Sequence, residues 1–555
     1  MSRNISCAFV FTLASIFASC RTTEPAQVNS TVSETNSGNS LKLCAAVRGN
    51  GHYILSHFGA LGRITENFGV LDAMAGGSSA SVTMFLYESI LMNPLVKDAP
   101  ADIRQQRAAL LLKSALGYLE AVKESPEANS VRLLFDVLTR AKQQGLLELN
   151  PTDYIATARA LNELLSNSNV VELINPKILR ILVNADNMKP LQWQRQLSEV
   201  QLAASSILAF KADNQKIFFR EGVINFSGFA SAIGRIGDFY SGSAPVDLGE
   251  MEKFLNACGQ VSQGKEWTQF AEAQISGGSC GDQFRRLVGD FRLAIKSGKN
   301  PDKPRIEQDI GQMLPTIVST AVIADKRALK QYEDGRKRYL AGRDPNLNID
   351  FDSVKFGYFL PSSLEKKIVD QHIALNSKDA KDRKFYSLGS GRKWRDALET
   401  SPAEPGLSPG VLLKTGEISI GGWSDLAPVQ ILEYAGCDKI LYLTRRGEES
   451  DFLVSINDDG RSGRRLGVAE QLNLKPIQRS TIYDLDNPAS AFSRAILKAE
   501  GVWCTNWNGF TDTQIDEMYQ ESFNAELVSQ DPQLLQRQDR ARIAQARIRG
   551  CSTLE

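Results

Sequence analysis

Gly76-Gly77-Ser78-Ser79-Ala80 sets a serine among small residues, after the apolar segment Phe68–Met74 and before the helical-looking Val82-Thr83-Met84-Phe85-Leu86. A serine at a strand-to-helix junction is how a hydrolase presents a nucleophile. The glycines let the backbone turn sharply, and the helix start offers N–H groups and a positive dipole end to an oxyanion. The stretch departs from Gly-x-Ser-x-Gly in its last residue, Ala80. Small residues at such a junction also serve plain packing of a helix on a strand, and the short motif alone leaves both readings open.

The partners available to Ser78 are few. Histidine occurs only as His52, His57 and His372. A Ser-His-Asp triad needs an imidazole within hydrogen-bond reach, so the scarcity favours a serine activated by a carboxylate. His57 falls in a predicted helix among Leu55, Phe58 and Leu61 and reads as a packing histidine. No Cys/His cluster has zinc-site spacing. Asp344–Asp350 begins like a calcium loop, but Ile349 stands at the glycine position and Lys355 at the terminal acidic one. No metal or cofactor is expected.

Two short elements must hold the serine. Leu41–Val47 reads as a first buried strand, followed by a Gly-containing loop, a helix over Ile54–Asn67 and a second strand over Phe68–Met74. That βαβα beginning implies a parallel sheet covered by helices. From 101 the pattern turns helical, with runs such as Arg107–Leu112 and Val131–Leu138. The helical stretch is too long for one crossover. More helix is expected over Pro304–Leu340, then a loop over Leu388–Gly410. Strand signals return at Val411–Lys414 and Lys439–Thr444, flanking Gly421-Gly422 and a helix over Pro428–Ala435. Beyond Thr511 the polar C-terminal stretch has helical spacing, and Arg537–Arg549 reads as a basic helix face, solvated or touching anionic lipid.

The 555 residues carry 42% hydrophobic and 23% charged residues, an ordinary globular balance. Lys+Arg and Asp+Glu both number 64, so no global field draws nucleic acid or an anionic bilayer. Arg3, the apolar Cys7–Phe17 and Ala18-Ser19-Cys20 read as an export signal too short to span a bilayer. Ala18-Ser19-Cys20 also resembles the lipobox of bacterial lipoproteins, with Phe17 where leucine is usual; Cys20 is then the lipidation site. In an exported chain Cys258 and Cys280, in polar Gly-rich surroundings, are the best disulfide candidates, whereas Cys44 and Cys437 in apolar strands read as buried free thiols.

Strand, Gly-rich loop, helix with His57-Phe58-Gly59-Ala60-Leu61, strand and serine turn together resemble the patatin-like phospholipase family. Gly76-Gly77-Ser78-Ser79-Ala80 corresponds to that family's Gly-x-Ser-x-Gly. Gly49, Asn50 and Gly51 fall where the family places its oxyanion loop, with Tyr53 at its basic position and Arg48 nearby. Ile420-Gly421-Gly422 through Pro428, followed by Gly436-Cys437-Asp438-Lys439, is similar to the family's Asp-Gly-Gly block and the strand after it. The catalytic aspartate aligns with Ile420. Asp425 is the nearest replacement and Glu417 the other carboxylate; Asp425 is equally suited to capping the helix near Pro428. Arg445-Arg446 is a candidate for a phosphate-bearing head group or a solvated basic turn.

The resemblance implies an α/β patatin-like parallel-sheet domain, helices on both faces, interrupted by a long mostly helical insertion. The expected organisation is an export signal (1–20), a flexible tether (21–40), the first part of the domain (41–100), the insertion (101–400), the second part (401–505) and a helical extension (506–555). The implied activity is a serine acyl hydrolase of phospholipid or lysophospholipid esters at a membrane surface, without nucleic acid. Catalysis falls to Ser78 and Asp425, oxyanion binding to Gly49, Asn50 and Gly51. The alternative is a catalytically inactive patatin-like protein that binds lipid or a partner at the cell envelope. The expected location is the cell envelope, by a lipid anchor at Cys20, or the exterior.

Overall fold

A near-continuous apolar run, Leu41–Val47, forms β1 in the middle of the sheet. The computed structural model describes residues 41–49, 54–115, 172–173, 224–243, 246–263, 279–296, 301–340, 354–376, 385–403, 410–421, 428–445, 501–505 and 527–529. The further strands are β2 (Ala73–Gly77), β3 (Thr316–Ile323), β4 (Val354–Phe359), β5 (Phe385–Ser387), β6 (Val411–Leu412), β7 (Ile418–Ser419), β8 (Cys437–Arg445), β9 (Gly501–Thr505) and β10 (Leu527–Ser529).

The spatial order is β10-β9-β8-β1-β2-β3-β4-β5, with β7 also on β3 and β6 on β7. From β9 to β3 every neighbouring pair is parallel. β4 runs antiparallel to β3, β5 parallel to β4, and β10 antiparallel to β9. Every residue of β2 and β3 is buried, as both-face coverage of a parallel sheet requires. The chain runs from β1 to β2 and β3 on one side and returns to β8 on the other. Such an order reversal opens a crevice outside the carboxyl ends of the strands, where α/β proteins bind ligands.

The helices are α1 (Leu55–Phe68), α2 (Ser79–Met92), α3 (Pro94–Lys97), α4 (Ala101–Lys113), α5 (Phe226–Tyr240), α6 (Leu248–Ser262), α7 (Ser279–Lys296), α8 (Lys326–Leu340), α9 (Glu365–Asn376), α10 (Trp394–Thr400) and α11 (Val429–Ala435). They cover both faces of this mixed α/β domain, and α5–α7 belong to a helical insertion between β2 and β3. α2 is buried over Ser79–Leu91, as befits a helix that is apolar all round. One side rests on the sheet and the other on α5, where a Cβ on Gly237 would come within 2.3 Å of the Phe85 ring. Among the described residues no helix is long and apolar enough to cross a membrane.

Several expectations are corrected. β2 begins at Ala73, because α1 runs on to Phe68 and Gly69, at φ 94°, ends it. Pro304–Leu340 is not one helix: six of the eight β3 residues are β-branched, which favours a pleated strand, and only α8 remains helical. The loop expected over Leu388–Gly410 contains α10. The stretch 101–400 contributes β3, β4 and β5 to the sheet, and β10 lies within 506–555. Residues 1–40, Val131–Leu138, Asp344–Asp350, Arg446 and Arg537–Arg549 lie outside the described residues.

Cys258–Cys280 is a disulfide joining α6 to α7. Cys44 and Cys437 are also bridged, not free: β1 and β8 pair side by side and bring their Cα atoms to 6.2 Å, a normal bridging distance. Two bridges fit an oxidising, non-cytoplasmic compartment. Cys44–Cys437 spans 393 residues of sequence and clamps the first strand to a neighbouring strand drawn from far along the chain. Replacing both cysteines by alanine is expected to cost roughly 2–5 kcal/mol of unfolding free energy. Urea melts of the double variant check this, and peptide mapping without reduction should recover both bridges.

Candidate active site

Ser78 sits between the last residue of β2 and the first of α2, with φ 55° and ψ −131°. It is the sole non-glycine residue with positive φ among the described residues. Such a conformation costs a side-chain-bearing residue about 1–3 kcal/mol and persists only where the surroundings over-determine it. Three contacts do so. Ser81 donates to the Ser78 carbonyl from both its N–H (2.9 Å) and its hydroxyl (2.6 Å), and the Ser78 N–H donates to Ser401 Oγ (2.8 Å). The residue is 5% exposed.

Two glycines allow this turn to close. A Cβ on Gly49, just beyond β1, would lie 2.8 Å from the Gly77 carbonyl oxygen and 2.9 Å from Ser78 Cβ. The candidate oxyanion loop therefore starts in contact with Ser78; Asn50 and Gly51 lie outside the described residues. A Cβ on Gly76 would meet Ala80 Cβ at 2.8 Å and the Val47 carbonyl oxygen at 2.9 Å. With glycine at 76, the first turn of α2 accommodates the alanine at 80.

The segment that precedes Asp425 in sequence pairs with β3. Along one edge of β3, residues 316–319 pair with β2 and residues 322–323 with β7. Between them Ile420 N–H donates to Ala321 and Ala321 N–H to Gly421 (2.8 and 2.9 Å). β2 and the 418–421 segment thus approach end to end along this edge, one ending at Gly77 opposite Ser319 and the other at Gly421 opposite Thr320. Gly421 has φ 70°. Asp425 itself lies outside the described residues. Ile420 is 1% exposed, inside the ladder.

Glu417 is not a partner for Ser78. It lies on the far side of β7 from Gly421, four residues or roughly 13 Å along the strand, and accepts a hydrogen bond from the Tyr386 hydroxyl (2.5 Å). That bond is the main reason the Tyr386 hydroxyl is pushed up to about 12. His57 is buried and hydrogen-bonds Thr83 Oγ1 through Nδ1 (2.9 Å). Burial lowers it to about 4 against a raising contribution from the Arg48 backbone. It is a neutral strut between α2 and the start of the glycine loop. Arg48 is buried at the end of β1, its N–H on the Leu443 carbonyl (3.1 Å).

No family model, curated protein or solved structure matches this chain. The site therefore rests on its own geometry. Ser401, Glu88 and Arg305, which fix that geometry, carry no local sequence signal, since their partners lie far away along the chain. Glu88 of α2 accepts N–H bonds from Gly311, Gln312 and Met313 and an ion pair from Arg305 at 3.2 Å. Asp238 of α5 accepts from Arg305 N–H at 2.7 Å.

Gly76→Ala is expected to destabilise by ~1–3 kcal/mol through overpacking. Adding Ala80→Gly should recover part of that loss; strictly additive effects in urea unfolding would contradict the contact. Asp238 is raised from 3.8 to about 6, chiefly by burial. A raised folded-state value stabilises fully below the unfolded value and is lost as pH rises through about 6. Asp238→Asn should therefore narrow the stability gap between pH 4 and pH 7.5 by ~1–3 kcal/mol relative to wild type, measured by denaturant melts across that range.

Proposed function

We propose that the chain is a patatin-like serine acyl hydrolase acting on phospholipid or lysophospholipid esters at the cell envelope. The observation that carries this reading is Ser78, a non-glycine residue held at φ 55° where a buried parallel strand meets a buried helix. Strain of this kind concentrates where a side chain must be presented. The close approach of Gly49 to Ser78, and the end-to-end approach of β2 and the 418–421 segment along β3, support the same reading.

In this mechanism Ser78 Oγ attacks the ester carbonyl carbon while its proton passes to the Asp425 carboxylate. The carbonyl oxygen becomes an oxyanion held by N–H groups of the Gly49-Asn50-Gly51 loop and the first turn of α2. Collapse breaks the ester bond, and the alcohol leaves with the proton from Asp425. Water, deprotonated by Asp425, then cleaves the acyl-serine and frees the fatty acid as Ser78 regains its proton. The chemistry calls on no metal or cofactor. Helices of the insertion provide apolar surface for the acyl chain, and the two disulfides are in keeping with an exported protein.

A second reading has one observation in its favour. Ile420 occupies the position of the family aspartate and is buried in the ladder. On that reading the chain is an inactive patatin-like protein that binds lipid or a partner.

A fluorophosphonate probe should label wild type and not Ser78→Ala, and ester turnover should fall about 10³-fold or more in Ser78→Ala. Asp425→Asn should lower both turnover and the rate of labelling while leaving the protein folded. Equal labelling of wild type and Ser78→Ala removes the nucleophile assignment, and binding to phospholipid vesicles without turnover favours the inactive reading.

A further inference from the structure

The β2–β3 ladder contains an inserted side chain at the position that matters. Met74 N–H donates to the Pro315 carbonyl at 3.0 Å, and the register continues through Gly76↔Val318 to Gly77↔Ser319. In a parallel ladder donors to one neighbour recur every second residue. The sequence is therefore Met74 to Pro315, Gly76 to Ile317, and Ser78 to Ser319. That last bond is not made directly. Ser78 N–H donates to Ser401 Oγ at 2.8 Å, and Ser401 Oγ donates to the Ser319 carbonyl at 2.7 Å.

We propose that Ser401 is a positioning residue for the hydrolase reaction: its hydroxyl, inserted between Ser78 and Ser319, lets Ser78 leave the strand at positive φ with its N–H still satisfied. The proposal rests on the serine-hydrolase reading of Ser78. Both hydrogen-bond directions are fixed, because the Ser319 carbonyl only accepts and the Ser78 N–H only donates. Ser401 is itself fully buried and anchored. Its N–H bonds the Ala397 carbonyl (2.8 Å), and α10 starts at the buried Trp394, whose ring meets Phe85 of α2 edge-on at 5.3 Å. The helix that begins at Ser79 and the hydroxyl that holds Ser78 thus belong to one packed unit. Without the hydroxyl, a buried donor and acceptor are left apart, and Ser78 is drawn back toward the direct ladder bond that an extended residue makes.

The test compares wild type, Ser78→Ala, Ser401→Ala and Ser401→Thr for kcat and KM on a short-chain p-nitrophenyl ester. Thermal melting and amide hydrogen exchange of the 76–82 segment are measured alongside. Ser401→Ala is expected to lower kcat about 10- to 100-fold, the scale of a nucleophile displaced by about an ångström, with KM within about twofold of wild type. Exchange over 76–82 should quicken, and Ser401→Thr, which keeps the hydroxyl, should restore kcat. Unchanged kcat in Ser401→Ala overturns the proposal. So does a loss of kcat that tracks a general fall in melting temperature without rescue by threonine. If wild type shows neither labelling nor turnover, the hydrolase reading fails and Ser401 has no catalytic part. Hydrogen exchange then separates the two failures: quickened exchange in Ser401→Ala leaves the Ser78–Ser401 bond standing in a protein of other function, and unchanged exchange removes it too.

Discussion

The buried Glu88 carboxylate is the interaction on which the rest of the site depends. A carboxylate taken fully out of water is costly unless it is surrounded by donors. Here three consecutive backbone N–H groups and the Arg305 guanidinium converge on it. Burial pushes the Glu88 carboxyl up, and Arg305 and the three N–H groups pull it back. The guanidinium in turn lies over Phe85 at 5.4 Å and Trp394 at 5.9 Å, so one charge pair gathers α2, the 305–313 segment and α10. Removing one member of such a pair costs ~3–5 kcal/mol, because the other is left buried and uncompensated.

Each of those elements ends at the candidate site. α2 starts immediately after Ser78, the 305–313 segment delivers the chain into β3, and α10 ends one residue before Ser401. β3 then does two things along a single edge. Its first half pairs with β2 and its second half with the 418–421 segment, so the end of β2 before Ser78 and Gly421 come together on one strand. Side chains alternate along a strand. Ser419 shares a hydrogen bond with Thr320 Oγ1 at 2.7 Å, and Ile420 projects to the opposite face. Within the ladder the backbone of 420 is committed to β3.

What the sequence makes legible follows the range of the physics. Leu41–Val47, the α1 helix, the Ser78 junction and the helix before Gly436 are all written in short apolar periods, glycines and turn residues, and they lie where their patterns put them. β3 is an apolar run between a proline-rich segment and a charged helix and has no period of its own; its β-branched residues are the usable signal. Cys44 and Cys437 read as core thiols in sequence because nothing local announces a strand partner 393 residues away. Ser401 and Glu88 are ordinary polar residues in sequence. Their roles come from bonds to Ser78 and to Gly311–Met313, more than two hundred residues distant in each case, and only the sheet brings them together.

The residue at 78 carries a side chain where the backbone favours glycine. A glycine would hold φ 55° at no steric cost, and the neighbouring residues at 76 and 77 are both glycine. Packing alone would therefore favour a third glycine, since Gly49 already presses on this point closely enough to exclude a Cβ of its own. Instead the chain carries a side chain in the unfavourable conformation and surrounds it with the means to keep it there: two bonds from Ser81, one to Ser401, a carbonyl of β3 behind that hydroxyl, and a helix locked from the rear by Glu88. A backbone held so firmly offers little rotational freedom to the Cβ it presents. The Cβ of Ser78 is held against the Gly49 backbone, where the chain leaves β1.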